Sequence, residues 1–242
     1  MYHDHYGAYP PAYIADENGT PMHSWRVLIL PFLHHRRLYD RYDFSQPWNS
    51  KANMRLATEM PEVYAFHGEY EEGVVTTNYL AVVGESTFWP GAMSRRSAEI
   101  TDEEDTTIML AENWGQHIHW MEPRDLDLET MSLEVDDPQG ISSKYLAPAV
   151  VMMDSQVVKL RPDLRRDALR ALLTVNGGEP LLVKDHGYLL DDGRDREERP
   201  AEETLSHEQP VGEIGTIKQL LDDPSAEEER TEERSADADA QD

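Results

Sequence analysis

Histidines spaced two residues apart are the first feature of the sequence that could do chemistry. His3 with His5, and His117 with His119, both have the His-x-His spacing. On a β-strand this spacing places both rings on one face, where they bind zinc if a third ligand converges on them. The apolar residues that alternate with His117 and His119 equally indicate an edge strand with two solvated rings.

The second candidate is an acidic loop at residues 101–107, with the sequence Thr-Asp-Glu-Glu-Asp-Thr-Thr. Its carboxylates, Asp102 to Asp105, could supply oxygen ligands to calcium within one turn. The loop lacks the spaced Asp-x-Asp-x-Asp-Gly pattern of a calcium-binding loop. In a chain with 48 acidic residues, a solvated run of charge is the other interpretation.

No other pattern for catalysis or cofactor binding is complete. The absence of cysteine excludes disulfides, thiolate catalysis and Cys-ligated zinc. Gly84 to Phe88 lacks the second glycine of a serine nucleophile elbow, and Gly177 with Gly178 follows a predicted helix instead of preceding one. We therefore predict no catalytic, cofactor-binding or metal-ligating residue, and a non-enzymatic protein that folds without an ion. A metal-assisted hydrolase using His117, His119 and nearby acids remains as an alternative.

The net charge of the chain argues against two classes of binding partner, nucleic acids and anionic lipids. The chain has 48 acidic and 22 basic residues, a formal charge of −26, and so repels nucleic acids and anionic lipids. The two basic clusters, His34 to Arg37 and the arginines from Arg161 to Arg170, are short and flanked by acids. We expect protein partners, no nucleic acid, no membrane contact by this chain and a monomer in isolation. Its longest apolar run, Val27 to Leu33, is far below the ~20 residues of a membrane span.

The charge also divides the chain in two. Residues 190–242 contain 19 acids and 6 bases and no aromatic residue, so they predict a disordered acidic tail. Ile214, Ile217, Leu220 and Leu221 fall at helical spacing within it, which indicates either a recognition helix or a transient amphipathic turn. Residues 1–189 contain all five tryptophans and predict one globular domain.

Within this domain, four segments rich in β-branched or apolar residues predict strands: Val74–Val83, Thr106–Ala111, Ala149–Met153 and Val157–Leu160. The last two are separated by a tight turn and predict a hairpin. A helix is predicted from Pro162, with Leu164, Ala168, Leu172 and Val175 on its apolar face and Gly177 as its C-terminal cap.

Near the front, Ser24 could cap a short helix carrying Trp25, which Pro31 must end or kink, although residues 27–30 would also serve as a strand. We expect Trp25 and Trp48 to be buried. Other aromatic residues in this region are typical of a core: Tyr39, Tyr42, Phe44 and Tyr64.

Several segments carry a resemblance to a known family. They are His23–Leu33 (HSWRVLILPFL), Gln46–Ser50 (QPWNS), Met60–Tyr64 (MPEVY), Thr77–Leu80 (TNYL), Ile100–Asp102 (ITD), Trp120–Leu126 (WMEPRDL) and Leu169–Glu179 (LRALLTVNGGE). Together they resemble, over roughly residues 2 to 183, the bacterial family called domain of unknown function 1559. In the family the segment like Ile100–Asp102 continues with glycine, where this chain has Glu103, and the hairpin turn at Met153–Gln156 also lacks the family's glycine.

The resemblance implies a pilin-like α+β head with an antiparallel sheet and short helices. Relatives carry a prepilin-type leader and a long hydrophobic helix, and residues 2–11 resemble the segment directly after that helix. Either the start codon is placed too late or this paralogue has lost its anchor. The implied role is a pseudopilin-like, type II secretion-like structural or assembly component of the cell envelope, with a cytoplasmic location if Met1 is the true start. The alternative is a soluble protein-binding module that uses its acidic tail to hold a basic partner.

Overall fold

The computed structural model describes residues 2–66, 71–145, 147–179, 181–184 and 187–190, and these form an α+β fold as the sequence predicts. Four helices have the bounds α1 (Tyr2–Tyr6), α2 (Trp25–Leu28), α3 (Arg36–Tyr39) and α4 (Arg166–Leu173). Short 3₁₀ helices lie at Leu30–Leu33, Asn53–Glu59, Glu62–Tyr64, Ser97–Glu99 and Glu104–Thr106. The predicted acidic tail, with its helix at Ile214–Leu221, lies outside the described residues apart from Leu190.

Twelve short strands account for the β-structure of the described part of the chain. Their bounds are β1 (Tyr13–Ala15), β2 (Pro21–Ser24), β3 (Thr76–Thr77), β4 (Tyr79–Leu80), β5 (Val82–Val83), β6 (Ile108–Glu112), β7 (Ile118–His119), β8 (Leu126–Asp127), β9 (Ala149–Met152), β10 (Val157–Lys159), β11 (Leu181–Lys184) and β12 (Gly187–Leu190). The largest sheet has four antiparallel strands in the order β10, β9, β6, β4. The other strands pair two by two: β1 with β2, β3 with β7, β5 with β8, and β11 with β12.

The two faces of the four-stranded sheet have different surroundings. Along β9, Val150 and Met152 are buried while Ala149 and Val151 are only half-buried, as the two-residue period of a strand requires. The buried face packs on α4, through Ala168, Leu169 and Leu172. The other face remains partly open to solvent and forms one wall of an apolar groove.

The hairpin of β9 and β10 is confirmed, and its turn needs no glycine. Ser155 adopts the left-handed conformation (φ 71°) that glycine favours, and its amide donates to the Met152 carbonyl over 3.0 Å. The Asp154 carboxylate accepts from the Gln156 amide over 2.9 Å. This local hydrogen bond stabilises the turn in place of a flexible residue.

The single strand predicted at Val74–Val83 is wrong, because the segment contains three strands with three different partners. Strand β3 pairs with β7, β4 with β6, and β5 runs parallel to β8. The strands are interrupted at Asn78 and Ala81, whose backbone amides bond groups outside the sheets. The Asn78 amide donates to the Tyr64 carbonyl over 3.0 Å, and the Ala81 amide donates to the Asp125 carboxylate over 2.8 Å.

The predicted helix from Pro162 is confirmed only in part. Helix α4 begins at Arg166, because Pro162 and Asp163 form a turn in which the Leu164 amide bonds the Arg161 carbonyl. It ends at Leu173, and its C-cap is the extended residue Thr174, so the prediction of Gly177 as the cap is wrong. The predicted apolar face is buried nonetheless, from Leu164 to Val175.

The front segment, residues 24–33, forms a short α-helix followed by a 3₁₀ helix, and not a strand. The Ser24 hydroxyl accepts from the Arg26 amide at the start of α2, and Pro31 lies in the first turn of the 3₁₀ helix that follows. Trp25 is buried with 2% exposure, as predicted, whereas Trp48 is only half-buried. Trp25 packs with Trp89 and Trp120 in an aromatic core that is separate from the aliphatic core under α4.

Candidate binding groove

An apolar groove lies between the front segment and the open face of the four-stranded sheet, with a volume of about 330 Å³. Ile29, Leu33 and Val63 form one wall, and Leu110, Val151 and Val157 of the sheet form the other. Val157 is 68% exposed and Val63 is 52% exposed. The groove therefore presents aliphatic side chains to water on both of its walls.

The floor of the groove consists of aromatic rings held by hydrogen bonds. Trp25 lies 5.1 Å from Trp89, measured between ring centroids, and contacts Tyr64 edge to face. The Tyr64 hydroxyl donates to the Arg26 carbonyl over 2.7 Å. Burial raises the pKa of Tyr64, so the hydroxyl remains a neutral donor. The floor is thus buried and hydrogen-bonded, while the walls carry the exposed aliphatic groups.

A buried ion pair between Arg26 and Asp125 contacts the aromatic floor of the groove. The Arg26 guanidinium bonds the Asp125 carboxylate, and it also donates to the Tyr79 carbonyl and, over 3.0 Å, to the Ser24 hydroxyl. The same Asp125 oxygen accepts from the Trp25 indole over 3.3 Å. Burial raises the pKa of the Asp125 carboxyl, and the Arg26 guanidinium opposes that rise.

At one end the groove continues into a surface of mixed charge. A cavity of about 540 Å³ is lined by Val63 and Tyr79, which it shares with the groove, and by His35 and Glu62. These last two residues also line a cavity of about 770 Å³ that contains the predicted basic cluster, His34 to Arg37. Most of its positive charge is paired, since Arg36 bonds Asp40 over 2.8 Å and Arg41 bonds Glu59 over 2.6 Å. Arg37 and Glu62 carry the remaining charges at this end of the groove.

The comparison with protein families gives one result. Residues 1–83 match the family described as a protein of unknown function, DUF1559. This match supports the resemblance to that family over these residues. The DUF1559 match includes the groove residues Trp25, Tyr64 and Tyr79 and the cluster His34 to Arg37, whereas β6, β9 and β10 lie beyond it. Neither the search of curated proteins nor the search of solved structures gave a match.

The four histidines predicted as possible ligands do not converge. The His3 ring lies against Tyr9, its Nε2 is 3.0 Å from the Ser97 hydroxyl, and His5 is exposed. Only His119 of the second pair lies in a strand, and His117 precedes it in a left-handed conformation (φ 47°). Across the residues that the structure describes, no three His, Asp or Glu side chains are placed to hold a metal ion.

His119 instead packs as a half-buried ring. Its ring centroid lies 5.3 Å from that of Trp48, with the two planes tilted by 39°, and its Nδ1 accepts from the Met121 amide over 3.2 Å. Its Nε2 is buried and has no hydrogen-bond partner within the described part of the chain. Burial lowers the pKa of His119, while Glu122 opposes that shift. The ring therefore contributes to packing in its neutral form.

The acidic loop has a structural role at its first residue. The Asp102 carboxylate accepts from the amides of Gly177 and Gly178, each over 2.9 Å, so both of its oxygens are already bonded. Gly178 has a φ of 67°, which explains the glycine at that position. Glu103 has an ordinary φ of −67°, so the turn does not require the glycine that the family has there.

Sequence reasoning missed Arg26 and Asp125, the most deeply buried charges of this site. Arg26 lies inside the DUF1559 match and Asp125 outside it. A signal was nevertheless present, because both residues fall within segments that carry the family resemblance. A charged residue inside such a segment, next to tryptophan in one case and leucine in the other, is a candidate for a buried pair.

Proposed function

We propose that this chain is a non-enzymatic, pseudopilin-like structural or assembly component of the bacterial cell envelope. Its groove would receive an apolar helix of a partner subunit. Support for the family comes from the DUF1559 match at residues 1–83. Support for an assembly role comes from one observation, the exposed aliphatic walls of the groove at Val63 and Val157.

The chemistry of the groove defines the partner. Aliphatic side chains such as Val157 gain roughly 1.5–3 kcal/mol each when a partner removes them fully from water. The exposed Arg37 at the end of the groove favours a carboxylate beside the apolar stretch of that partner. The expected occupant is therefore an amphipathic helix with leucine-like residues on one face and carboxylates at one end.

Peptide binding tests this proposal. A labelled amphipathic peptide of about 20 residues, with aspartates at one end, should bind the protein saturably by fluorescence anisotropy. Val157→Asp places a charge in the apolar wall and should weaken binding at least about tenfold, the equivalent of ~1.4 kcal/mol. Met93→Asp is the matched control, because Met93 is 65% exposed and lies outside the groove.

A second peptide, with lysines in place of the aspartates, tests the charge preference. It should bind more weakly, and the difference should shrink at high salt, where exposed charges are screened. Equal binding of both peptides would contradict Arg37 as a determinant of the charge preference. An equal effect of Val157→Asp and Met93→Asp would contradict the groove itself. Fractionation of cells expressing a tagged protein should place it with the envelope.

A further inference from the structure

The turn between β1 and β2 carries a sequence motif for covalent modification. Residues 16–20 read Asp-Glu-Asn-Gly-Thr, so Asn18 is followed two positions later by the hydroxyl of Thr20. An asparagine two residues before serine or threonine, with no proline between them, is the acceptor pattern for N-linked glycosylation. The chain has six asparagines, and only Asn18 has this pattern. Bacterial enzymes that transfer oligosaccharides to asparagine also select an acidic residue two positions before it, and Asp16 holds that position.

The motif lies at the exposed tip of a hairpin whose base is fixed. Residues 16–20 are all exposed to solvent, and none of these five described residues lines the apolar groove. At the base of the hairpin Ala12 is fully buried, and its carbonyl accepts from the Trp25 amide over 3.0 Å. An enzyme can therefore reach Asn18 in the folded protein, as modification at a surface loop requires.

The three polar residues of the motif meet at one carboxylate. Asp16 accepts from the backbone amide of Asn18 over 2.9 Å and from that of Thr20 over 2.8 Å. The pKa of the Asp16 carboxyl is lowered, mainly by the bond from the Thr20 amide, and the side chains of Thr20 and Asn18 add to this effect. The Asn18 carboxamide and the Thr20 hydroxyl therefore lie close to the same acidic group at the tip of the hairpin.

The turn itself does not require an asparagine at position 18. The left-handed conformation falls on Gly19 (φ 84°), which is the residue type that adopts it without strain. Asn18 is not among the residues with positive φ, so it does not supply the conformation for which turns often use asparagine. Its backbone bond to Asp16 needs only an amide N–H, which every residue except proline has. The fold therefore does not account for the asparagine.

We propose that Asn18 is an acceptor site for N-linked glycosylation, with a lipid-linked oligosaccharide diphosphate as the donor. The carboxamide nitrogen of Asn18 attacks the anomeric carbon of the first sugar. A carbon–nitrogen bond forms, and the bond between that carbon and the diphosphate oxygen breaks. The carboxamide loses one proton to a base of the transferring enzyme, and the lipid diphosphate leaves. In the cell this modification rests on the proposed envelope location, because the transfer takes place outside the cytoplasm.

Enzymatic transfer in vitro tests the site on the folded full chain, independently of its location in the cell. With a purified bacterial oligosaccharyltransferase and a lipid-linked oligosaccharide, intact mass spectrometry should show the gain of one glycan, and peptide mapping should place it on Asn18. Asn18→Gln and Thr20→Ala should abolish this gain, whereas Thr20→Ser should retain it. Asn49→Gln is the matched control and should be modified like wild type, because Asn49 is exposed but has Lys51 two positions later.

Two further comparisons make the outcome decisive. Asp16→Ala should slow the transfer strongly, whereas Glu17→Ala, at the neighbouring exposed carboxylate, should not. An unmodified folded chain, under conditions in which a synthetic peptide of residues 12–24 is modified, would overturn the proposal. So would an unmodified Asn18 in protein purified from the envelope of its own bacterium, which would leave the groove unaffected. Recovery from the cytoplasm alone would instead contradict the envelope location, and the transfer in vitro would still decide whether Asn18 is an acceptor.

Discussion

Arg26 and Asp125 are 99 residues apart in the chain and form an ion pair whose side chains are 0% and 2% exposed. The pair joins the start of α2 to the segment before β8. Through the Tyr79 carbonyl and the Ala81 amide, it also contacts the backbone on both sides of Leu80. The front segment, the interrupted strands and the groove floor are thus connected through a single carboxylate and a single guanidinium.

Replacing Asp125 with alanine should destabilise the protein strongly. The change leaves the Arg26 charge buried without its partner and removes the acceptor of the Trp25 and Ala81 donors. Breaking one side of a buried pair costs about 3–5 kcal/mol, so urea unfolding should show a loss of that size. Asp40→Ala, which breaks the exposed pair with Arg36, is the control and should change the stability little. Similar losses for both variants would contradict a special role of the buried pair.

Replacing Trp25 with alanine tests the aromatic core. Trp25 is 2% exposed and packs on Trp89, so its removal leaves a large cavity. We expect a loss of roughly 3–5 kcal/mol in the free energy of unfolding, measured by chemical denaturation. Trp114→Ala should cost much less, because Trp114 is 41% exposed. A melting temperature of Trp25→Ala within a degree or two of wild type would show that this core does not carry the fold.

One buried and one half-buried histidine predict how stability depends on pH. Burial lowers the pKa of His23 and of His119 below the ordinary value of 6.5, against opposing contributions from the Phe44 carbonyl and Asp43 at His23 and from Glu122 at His119. The unfolded chain then binds protons more readily than the folded chain. The stabilisation is complete above pH 6.5 and is lost as the pH falls through the folded-state pKa values. The free energy of unfolding should therefore decrease from pH 7 to pH 5.

Single variants separate the two contributions to this pH dependence. His23→Gln and His119→Gln should each flatten the curve between pH 7 and pH 5. The raised pKa of Asp125 acts in the opposite direction, since it favours the folded state as the pH falls. A curve with unchanged slope in both histidine variants would contradict this account.

The turn after α4 should depend on Asp102. Asp102→Ala removes two charge-assisted hydrogen bonds to the amides of Gly177 and Gly178, at a cost of about 1–2 kcal/mol. Hydrogen exchange should show faster exchange of those two amides in the variant. Glu103→Ala is the matched control, because the neighbouring side chain is exposed. Equal exchange rates in wild type and Asp102→Ala would contradict the role of this carboxylate.

Sequence reasoning predicts the parts of the fold that depend on neighbouring residues. The hairpin of β9 and β10 follows from two apolar segments and a turn, and the start of α2 follows from Ser24 next to Trp25. The sequence does not locate the start of α4, because Pro162 suits both a first helical turn and an isolated turn. Helix propensity does not distinguish these two outcomes, whereas burial of the chain around Leu164 does.

The rest depends on pairing between distant residues. The segment at residues 74–83 has the composition of one strand, but β7, β6 and β8 each pair with only part of it. Arg26 and Asp125 could not be paired from the sequence, because 48 acidic and 22 basic residues offer many equivalent combinations. The groove could not be predicted either, because its two walls come from residues about 50 to 130 positions apart, which composition alone does not bring together.

The three strands within residues 76–83 have a consequence for synthesis on the ribosome. All three of their partners, β6, β7 and β8, lie later in the chain, the last at Asp127. When residues 76–83 leave the exit tunnel, none of the segments that complete their hydrogen bonds has been made. Native pairing must wait for about 45 further residues, a few seconds at ordinary elongation rates. During that interval the backbone groups of Val82 and Val83 have no strand partner in the nascent chain. A chaperone that binds exposed apolar segments would therefore act at this stage of synthesis.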